Sequence, residues 1–361
     1  MKIGIITHYD VHNHGAILQL NALIKILKEF GFAAQALRFD KNYDFLGHTL
    51  KAKYDVSIKS FGIYLRFLRE KGFNCTYYNY KKRKLLNKYK LDENIVGDYY
   101  SESTKLDSII IGSDEVFALH TGPTPVFFGY CLPSENIVSY AGSFGPTTIQ
   151  DIEKLHSKNF VRSGLLGMKK ITVRDENSAN IVEELTNSRP PIVVDPVLLY
   201  GYKDEIDILD SPMKDDYLLV YSYDNRMNSP EEIKSIKNYA KKNNLKIVSA
   251  GFFHEWCDKN INVTPIQLLS WFKHSNGVIT DTFHGCVMSI ITEANFTVKT
   301  RTSNQFKLIN LLKEYNLSDR IFLDWDKLEE TISKKIDYTI IREEVKTRRE
   351  FSKGLLKKMI M

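Results

Sequence analysis

The chain is predicted to be an α/β protein of two doubly wound units facing each other across a cleft, with a basic helical insert in the first unit. Three observations predict this. Short β-branched runs recur along the whole length, and each ends in turn chemistry that opens a helical pattern, the alternation expected of parallel sheets flanked by helices. The pattern halts in a polar stretch, Tyr200 to Asp216, and then restarts. At 361 residues with 43% hydrophobic content, the chain is long enough for two domains that each bury a core.

The elements follow in order. Ile3 to Ile6 is a first strand, leading through Thr7-His8-Tyr9-Asp10 and Asn13-His14-Gly15-Ala16 into a helical pattern of Leu18, Leu20, Leu23, Ile24 and Leu27. Ala33 to Phe39 is a second strand, and the insert runs from about residue 43 to residue 90. Four further runs end in loops: Ser108 to Ile111 in Gly112-Ser113-Asp114-Glu115, Ile137 to Ala141 in Gly142-Ser143-Phe144-Gly145, Ile171 to Val173 in Arg174-Asp175-Glu176-Asn177-Ser178, and Ile192 to Val194 in Asp195-Pro196. Asp195-Pro196 reads as structural, and Tyr200 to Asp216 as a linker. The second half opens with a strand from Tyr217 to Tyr223, then a helix with Ser229 as N-cap, Pro230 at its first position and Glu232 completing the capping pattern. Leu245 to Ala250 is a strand, Pro265 opens a helix through Trp271, a strand at Val278-Ile279 precedes a helix from about Cys286 to Ala294, and a charged helix from about Tyr338 ends the chain. The expected domains are residues 1–199 and 200–338, followed by a C-terminal helix at 339–361.

Composition narrows the class. No apolar run approaches the ~20 residues needed to span a bilayer, and the start MKIGIITHYD reads as a strand and not a leader, so a cytoplasmic protein is expected. Cys75, Cys131, Cys257 and Cys286 lie far apart without CxxC spacing, which argues against a disulfide framework or a structural zinc site. His8 and His12 lack partners for a metal site. The formal charge of +6 is unevenly spread: Lys59 to Lys90 holds ten Lys or Arg against the single acid Glu70, interleaved with Phe61, Tyr64, Phe67, Phe73, Tyr77, Tyr78, Tyr80 and Tyr89. Such a segment suits an anionic membrane surface or nucleic acid, or is a solvated helix whose aromatics belong to the core.

The most informative stretch is residues 276 to 292, NGVITDTFHGCVMSIIT, where a buried strand breaks into a loop holding Asp281, Thr282, His284 and Gly285 and restarts as a helix. Such a junction lies at the carboxyl end of a strand, where the next helix offers free N–H groups and a partial positive charge to an anion. A histidine there can donate a proton, hold a phosphate or cap the helix.

The ordered set NHGAILQLNAL, IIIGSDEVF, SYAGSFG, ITVRDENSA, VVDPVLL, VITDTFHGCVMSI and SNQFKLINLLKEYNL resembles the polysaccharide pyruvyl transferase family from residue 3 to about residue 320. With this resemblance the two doubly wound, Rossmann-like units imply a GT-B-like fold with ligands between the domains. The resemblance implies transfer of the enolpyruvyl group of phosphoenolpyruvate (PEP) to two hydroxyls of a sugar, with PEP as co-substrate, no metal and no other cofactor. His284 is the implied acid, with Asp114 as base or sugar ligand. Donor contacts are expected from Arg174, Thr282, Gly285, Arg301, Lys307, Ser303 and Asn304, although Arg174 could instead pair with Asp175 or Glu176. Acceptor contacts are expected from Asn13, His14, Gly15, Ser113, Glu115, Ser143 and Phe144. Many family members carry Arg-x-His where this chain reads Thr282-Phe283-His284. Either Thr282 with the helix N-terminus replaces that arginine, or Arg301 or Lys307 reaches in. The expected partners are PEP and a sugar or lipid-linked oligosaccharide, with peripheral membrane contact through residues 59–90 and no nucleic acid. A GT-B glycosyltransferase using a nucleotide sugar, or a non-catalytic membrane- or nucleic-acid-binding protein on the same fold, are the alternatives.

Overall fold

A computed structural model describes residues 1–39, 58–103, 105–120, 122–301 and 305–361. Two six-stranded sheets, each parallel throughout, form the frame. The first holds β1 (Lys2–Ile6), β2 (Ala33–Arg38), β3 (Val96–Tyr99), β4 (Ser108–Ile111), β5 (Ile137–Gly142) and β6 (Lys170–Val173) in the order β3-β2-β1-β4-β5-β6. The second holds β7 (Tyr217–Tyr221), β8 (Lys246–Ala250), β9 (Lys259–Ile261), β10 (Gly277–Thr280), β11 (Phe296–Lys299) and β12 (Ile321–Phe322) in the order β12-β11-β10-β7-β8-β9. Both sheets reverse direction of growth once, at β1/β4 and at β7/β10. Those switch points open a crevice at the carboxyl ends of the strands, where doubly wound sheets take their ligands.

The central strands are apolar because helices cover both faces: β4 (SIII), β7 (YLLVY) and β10 (GVIT) are buried at every residue. In the first unit the helices are α1 (His14–Glu29), α2 (Ile58–Asp92), α3 (Ile149–Lys154), α4 (Lys158–Leu166) and α5 (Glu176–Thr186), followed by the short connectors α6 (Pro196–Tyr200) and α7 (Lys203–Asp207). The second unit carries α8 (Pro230–Lys242), α9 (Pro265–Lys273), α10 (Phe283–Ile291), α11 (Gln305–Glu314) and α12 (Leu328–Ser333). The capping box expected at Ser229 and Glu232 forms, and Thr264 with Gln267 makes a second one at α9. One apolar cluster runs from Ile5 and Leu23 to Leu269 and Val287, so the cores of the two units are continuous beneath the cleft. The last helix, α13 (Tyr338–Ile360), begins against the second unit, where the Tyr338 hydroxyl donates to Ala294 O at 2.7 Å. It ends on the first, where the Ser352 hydroxyl accepts from Val194 N at 3.1 Å. This is a GT-B-like architecture.

Several expectations need correction. Ile192 makes only an isolated bridge to Val173, so the run before Asp195 is not a strand. The polar stretch expected to be a linker contains α7 and the fully buried Tyr202, whose hydroxyl lies 2.8 Å from both Leu18 O and Asn21 Oδ1. The short strands β3, β9, β11 and β12 escape a pattern search because VGDY, KNI, FTVK and IF gain strand character from their neighbours. The helix expected from Cys286 begins at Phe283, which moves His284 out of the loop and into the first helical turn. The start of the basic insert lies outside the described residues. Among those described, no helix is long and apolar enough to cross a membrane.

Candidate active site

Two helix N-termini, those of α1 and α10, meet across the cleft. Asn13 caps α1 by accepting from the N–H groups of Gly15 and Ala16 (2.9 and 3.3 Å), and Thr282 caps α10 by accepting from Gly285 N (2.9 Å). Glycine is required at both contacts. A Cβ on Gly15 would stand 2.3 Å from His284 Cγ, and one on Gly285 2.1 Å from Thr280 Oγ1. The His284 ring therefore lies directly on bare α1 backbone. Gly15→Ala is expected to push the ring out of position, and because displacements of ~1 Å near the chemistry cost ~10²-fold, turnover of that variant should fall by about this factor. An unchanged rate would show that the ring is not positioned there.

The side chain of Arg174 is 4% exposed and lies between two carboxylates, with Nη1 donating to Asp195 Oδ2 at 2.9 Å and Nη2 3.5 Å from Asp114 Oδ1. The Phe283 ring packs under the guanidinium at 4.3 Å. Neither acid next to Arg174 in sequence is its ion-pair partner. Asp175 accepts from Ser178 N and from the Ser143 hydroxyl (2.8 and 2.5 Å), while Glu176 pairs with Arg189. His284 Nε2 sits 3.7 Å from Asp195 Oδ2 and has no hydrogen-bond partner among the described residues. Asp195, read from sequence as structural, thus joins the cluster while also capping α6 by accepting from Val197 N at 3.0 Å. Burial works against the charge on Asp195, but His284, Arg174 and that N–H hold its carboxyl below the usual range. At Asp114 burial likewise opposes ionisation, and Arg174, His284, His8 and Lys307 outweigh it, so its carboxyl also titrates well below normal.

Lys307 reaches from α11 across the cleft to Glu115 (2.6 Å), which holds the Glu115 carboxyl low against the opposing effect of burial. Of the substitutes weighed for the arginine missing at Thr282, Lys307 faces this cluster. Arg301 is held on Asp281 and on Glu232 (2.9 Å to the latter), and the Thr282 hydroxyl is engaged as a cap. Ser303 and Asn304 lie outside the described residues. Among the described residues, no group of three or more His, Cys, Asp or Glu side chains is placed to hold a metal.

Of the residues expected to meet an acceptor, Asn13 and Glu115 are partly exposed at the cleft, Gly15 is buried beneath the His284 ring, and the others turn inward. Phe144 is fully buried against Phe117, with ring centroids 5.2 Å apart. Ser143 is 1% exposed with its hydroxyl committed to Asp175, and Ser113 is fully buried, its carbonyl accepting from the Thr7 hydroxyl at 2.9 Å. His14 does not face an acceptor. Its Nε2 lies 2.8 Å from Val263 O and its ring covers Gly251, so it joins the two units. Burial pushes its pKa down from 6.5 to about 3. The unfolded chain consequently binds a proton at His14 below pH 6.5 that the folded protein refuses until about pH 3, so stability is lost as pH is lowered across that window. The slope is about 1.4 kcal/mol per pH unit. His14→Gln should flatten the acid limb of stability against pH, read from urea midpoints, and a parallel limb would refute the assignment.

Two residues without a sequence motif of their own, Tyr223 and Arg226, complete the cleft wall. After β7, at the switch point, the Tyr223 hydroxyl accepts from Asn13 Nδ2 at 3.3 Å, and the Arg226 guanidinium lies 4.9 Å over the Tyr223 ring with Nη1 3.7 Å from Asp281 Oδ2. Burial, with Asp114 and Glu115 opposite, raises the Tyr223 phenol to about 12, so it stays protonated. The signal available was position alone: SYDNR follows a strand at a switch point.

Among solved structures, the chain is similar to UDP-N-acetylglucosamine 2-epimerase from Rickettsia bellii (TM-score 0.56, 12% identity, covering 99% of this chain and 95% of that one). It is also similar to UDP-GlcNAc 2-epimerase from Methanocaldococcus jannaschii, solved with UDP-GlcNAc and UDP (TM-score 0.53, 14% identity, covering 99% and 100%). At these identities the likeness shows the GT-B-like fold. No curated protein matches the sequence. The family profile described as polysaccharide pyruvyl transferase matches residues 13–303, from the Asn13 cap of α1 to the segment before α11. That match takes in both helix N-termini and the Asp114, Arg174, Asp195 and His284 cluster, and over most of its length the chain belongs to the polysaccharide pyruvyl transferase family.

Proposed function

We propose that the enzyme moves the enolpyruvyl group of PEP onto two hydroxyls of a sugar, in a cell-surface polysaccharide or its precursor, forming a cyclic pyruvate ketal and releasing phosphate. The observation that carries this reading is the setting of His284: a histidine in the first turn of α10, at the cleft between the sheets, beside Arg174 and Asp195 and across from Asp114. The reaction takes place on the cytoplasmic side and needs no cofactor beyond PEP.

The chemistry assigns each group a task. His284, as imidazolium, gives a proton to the methylene carbon of PEP, and the electron pair of the double bond forms the new C–H bond. The adjacent carbon becomes an oxocarbenium centre and is attacked by the first hydroxyl. Its oxonium proton is acidic enough that a carboxylate with a depressed pKa, such as Asp114, can accept it. The C–O bond to phosphate then breaks and the second hydroxyl closes the ring. Of the two hydroxyl protons, the one taken by Asp114 passes on to the departing phosphate and the other restores His284. Lys307, Arg174 and the α10 N-terminus supply positive charge for the phosphate and carboxylate of PEP.

The test is a thermal-shift panel followed by turnover. A ligand at 100 times its dissociation constant stabilises by about 2.7 kcal/mol. Stabilisation by PEP, and phosphate release that depends on a sugar acceptor, are expected. A shift with a nucleotide sugar and none with PEP would replace this reading with chemistry on a nucleotide sugar, glycosyl transfer included.

A further inference from the structure

We propose that the outward face of α2 docks the enzyme on an anionic phospholipid surface, beside the mouth of the cleft. The helix has two faces after Gly72, where the backbone kinks at φ 76°. Cys75, Tyr78, Lys82, Leu86 and Tyr89 form a buried stripe. Phe73, Tyr77, Tyr80 and Lys84 form an exposed one, which at 3.6 residues per turn lies about 180° away.

The outer stripe is aromatic and cationic together. Phe73, Tyr77 and Tyr80 are 72%, 48% and 53% exposed, and Phe73 stacks on Tyr77 with centroids 5.9 Å apart. Lys81 lies 4.5 Å over the Tyr77 ring and Lys84 5.0 Å over that of Tyr80. Lys71 adds an exposed cation at the kink, and the only acid from Lys59 to Lys90 is Glu70. Rings that expose an apolar face, flanked by ammonium groups, match the headgroup layer of an anionic bilayer: the rings enter the interface and the lysines meet lipid phosphates.

The buried stripe holds this face rigidly beside the cleft. The Tyr78 hydroxyl donates to Ile261 O at 2.8 Å and Asn79 Nδ2 to Asp224 Oδ2 at 3.0 Å, both in the second unit. On the other side Lys90 Nζ donates to Tyr9 O at 3.3 Å, and His12 Nε2 lies 3.0 Å from Asn87 Oδ1. Those residues border the loop that carries Asn13 to the cleft. A lipid-linked sugar would thus be met at the surface that holds it. That consequence rests on the proposed transfer reaction, whereas lipid binding is measured without substrate.

The full chain is sedimented with phosphatidylcholine vesicles, with and without phosphatidylglycerol. Binding is expected only when the anionic lipid is present, and is expected to be lost near 1 M salt, where the screening length falls to ~3 Å. With surface charges each worth a severalfold change in partitioning, Lys71→Glu/Lys81→Glu/Lys84→Glu should weaken it about 100-fold or more. Phe73→Ala/Tyr77→Ala/Tyr80→Ala should weaken it about tenfold while leaving the salt dependence in place. Both variants must keep the thermal transition of the parent protein, which the exposure of these side chains allows. Absence of vesicle binding, equal binding to neutral vesicles, insensitivity to both sets of substitutions, or capture of duplex DNA in preference to vesicles at equal salt would each overturn the proposal.

Discussion

His284→Ala is expected to lower the rate of pyruvyl transfer by about 10³-fold, within the 10²–10⁴ that a positioned proton donor contributes, while the protein stays folded. The ring lies on Gly15 and near Asp195 and makes no hydrogen bond to backbone among the described residues, so its loss leaves a small space beside α1 while Arg174 stays on Asp195. His284→Gln, which fills part of that space without an acidic proton, should be as slow. Loss of the proposed PEP turnover with a urea midpoint that falls only modestly, because Arg174 remains on Asp195, is the expected pair of results. A rate within tenfold of the parent enzyme in both variants would remove His284 from proton transfer.

Arg174→Ala is expected to act first on stability. Its guanidinium lies between Asp195, which is 1% exposed, and Asp114, and removing one partner of a buried ion pair costs about 3–5 kcal/mol. That is a large share of the 5–15 kcal/mol of a typical domain. The urea midpoint should fall accordingly at pH 7, so lost turnover in this variant alone does not diagnose a donor contact. Arg174→Met/Asp195→Asn removes charge from both sides and should recover most of the loss. If it is as unstable as Arg174→Ala, the ion pair is not the cause. The pH dependence carries a sign. In the parent, both carboxyls titrate below their unfolded values near 3.9, so their stabilisation is in place above about pH 4 and is lost as pH falls through the folded values. In Arg174→Ala the unpaired carboxylates are relieved by protonation, and the gap between parent and variant should narrow as pH drops below 4. A gap that stays constant would count against the pairing. In a folded preparation Arg174→Lys keeps one charge and loses the fork, so its KM for PEP tests the proposed donor contact apart from stability.

The local sequence carried much of the frame. Alternating apolar runs and turn chemistry imply parallel strands with helices between them, because a strand covered on both faces must be apolar and a helix must begin where capping chemistry permits. Ser229-Pro230 and Thr282 show this directly. Gly15 and Gly285 stand where no side chain fits, and His284 follows from its place at a strand-to-helix junction. Partnerships are different, since an ion pair depends on separation in space and not along the chain. Asp175 and Glu176 adjoin Arg174, yet Asp195 and Asp114, 21 and 60 residues away by subtraction of their numbers, neutralise it. Whether a side chain faces the cleft is likewise decided by packing: a single residue step at the start of α1 sends His14 into the interior and leaves Asn13 at the cleft. Fold class and the strand-to-helix junctions at the cleft are legible along the chain. Which charges meet is set by folding, because burial removes water as the alternative partner and leaves each buried charge dependent on the nearest opposite one.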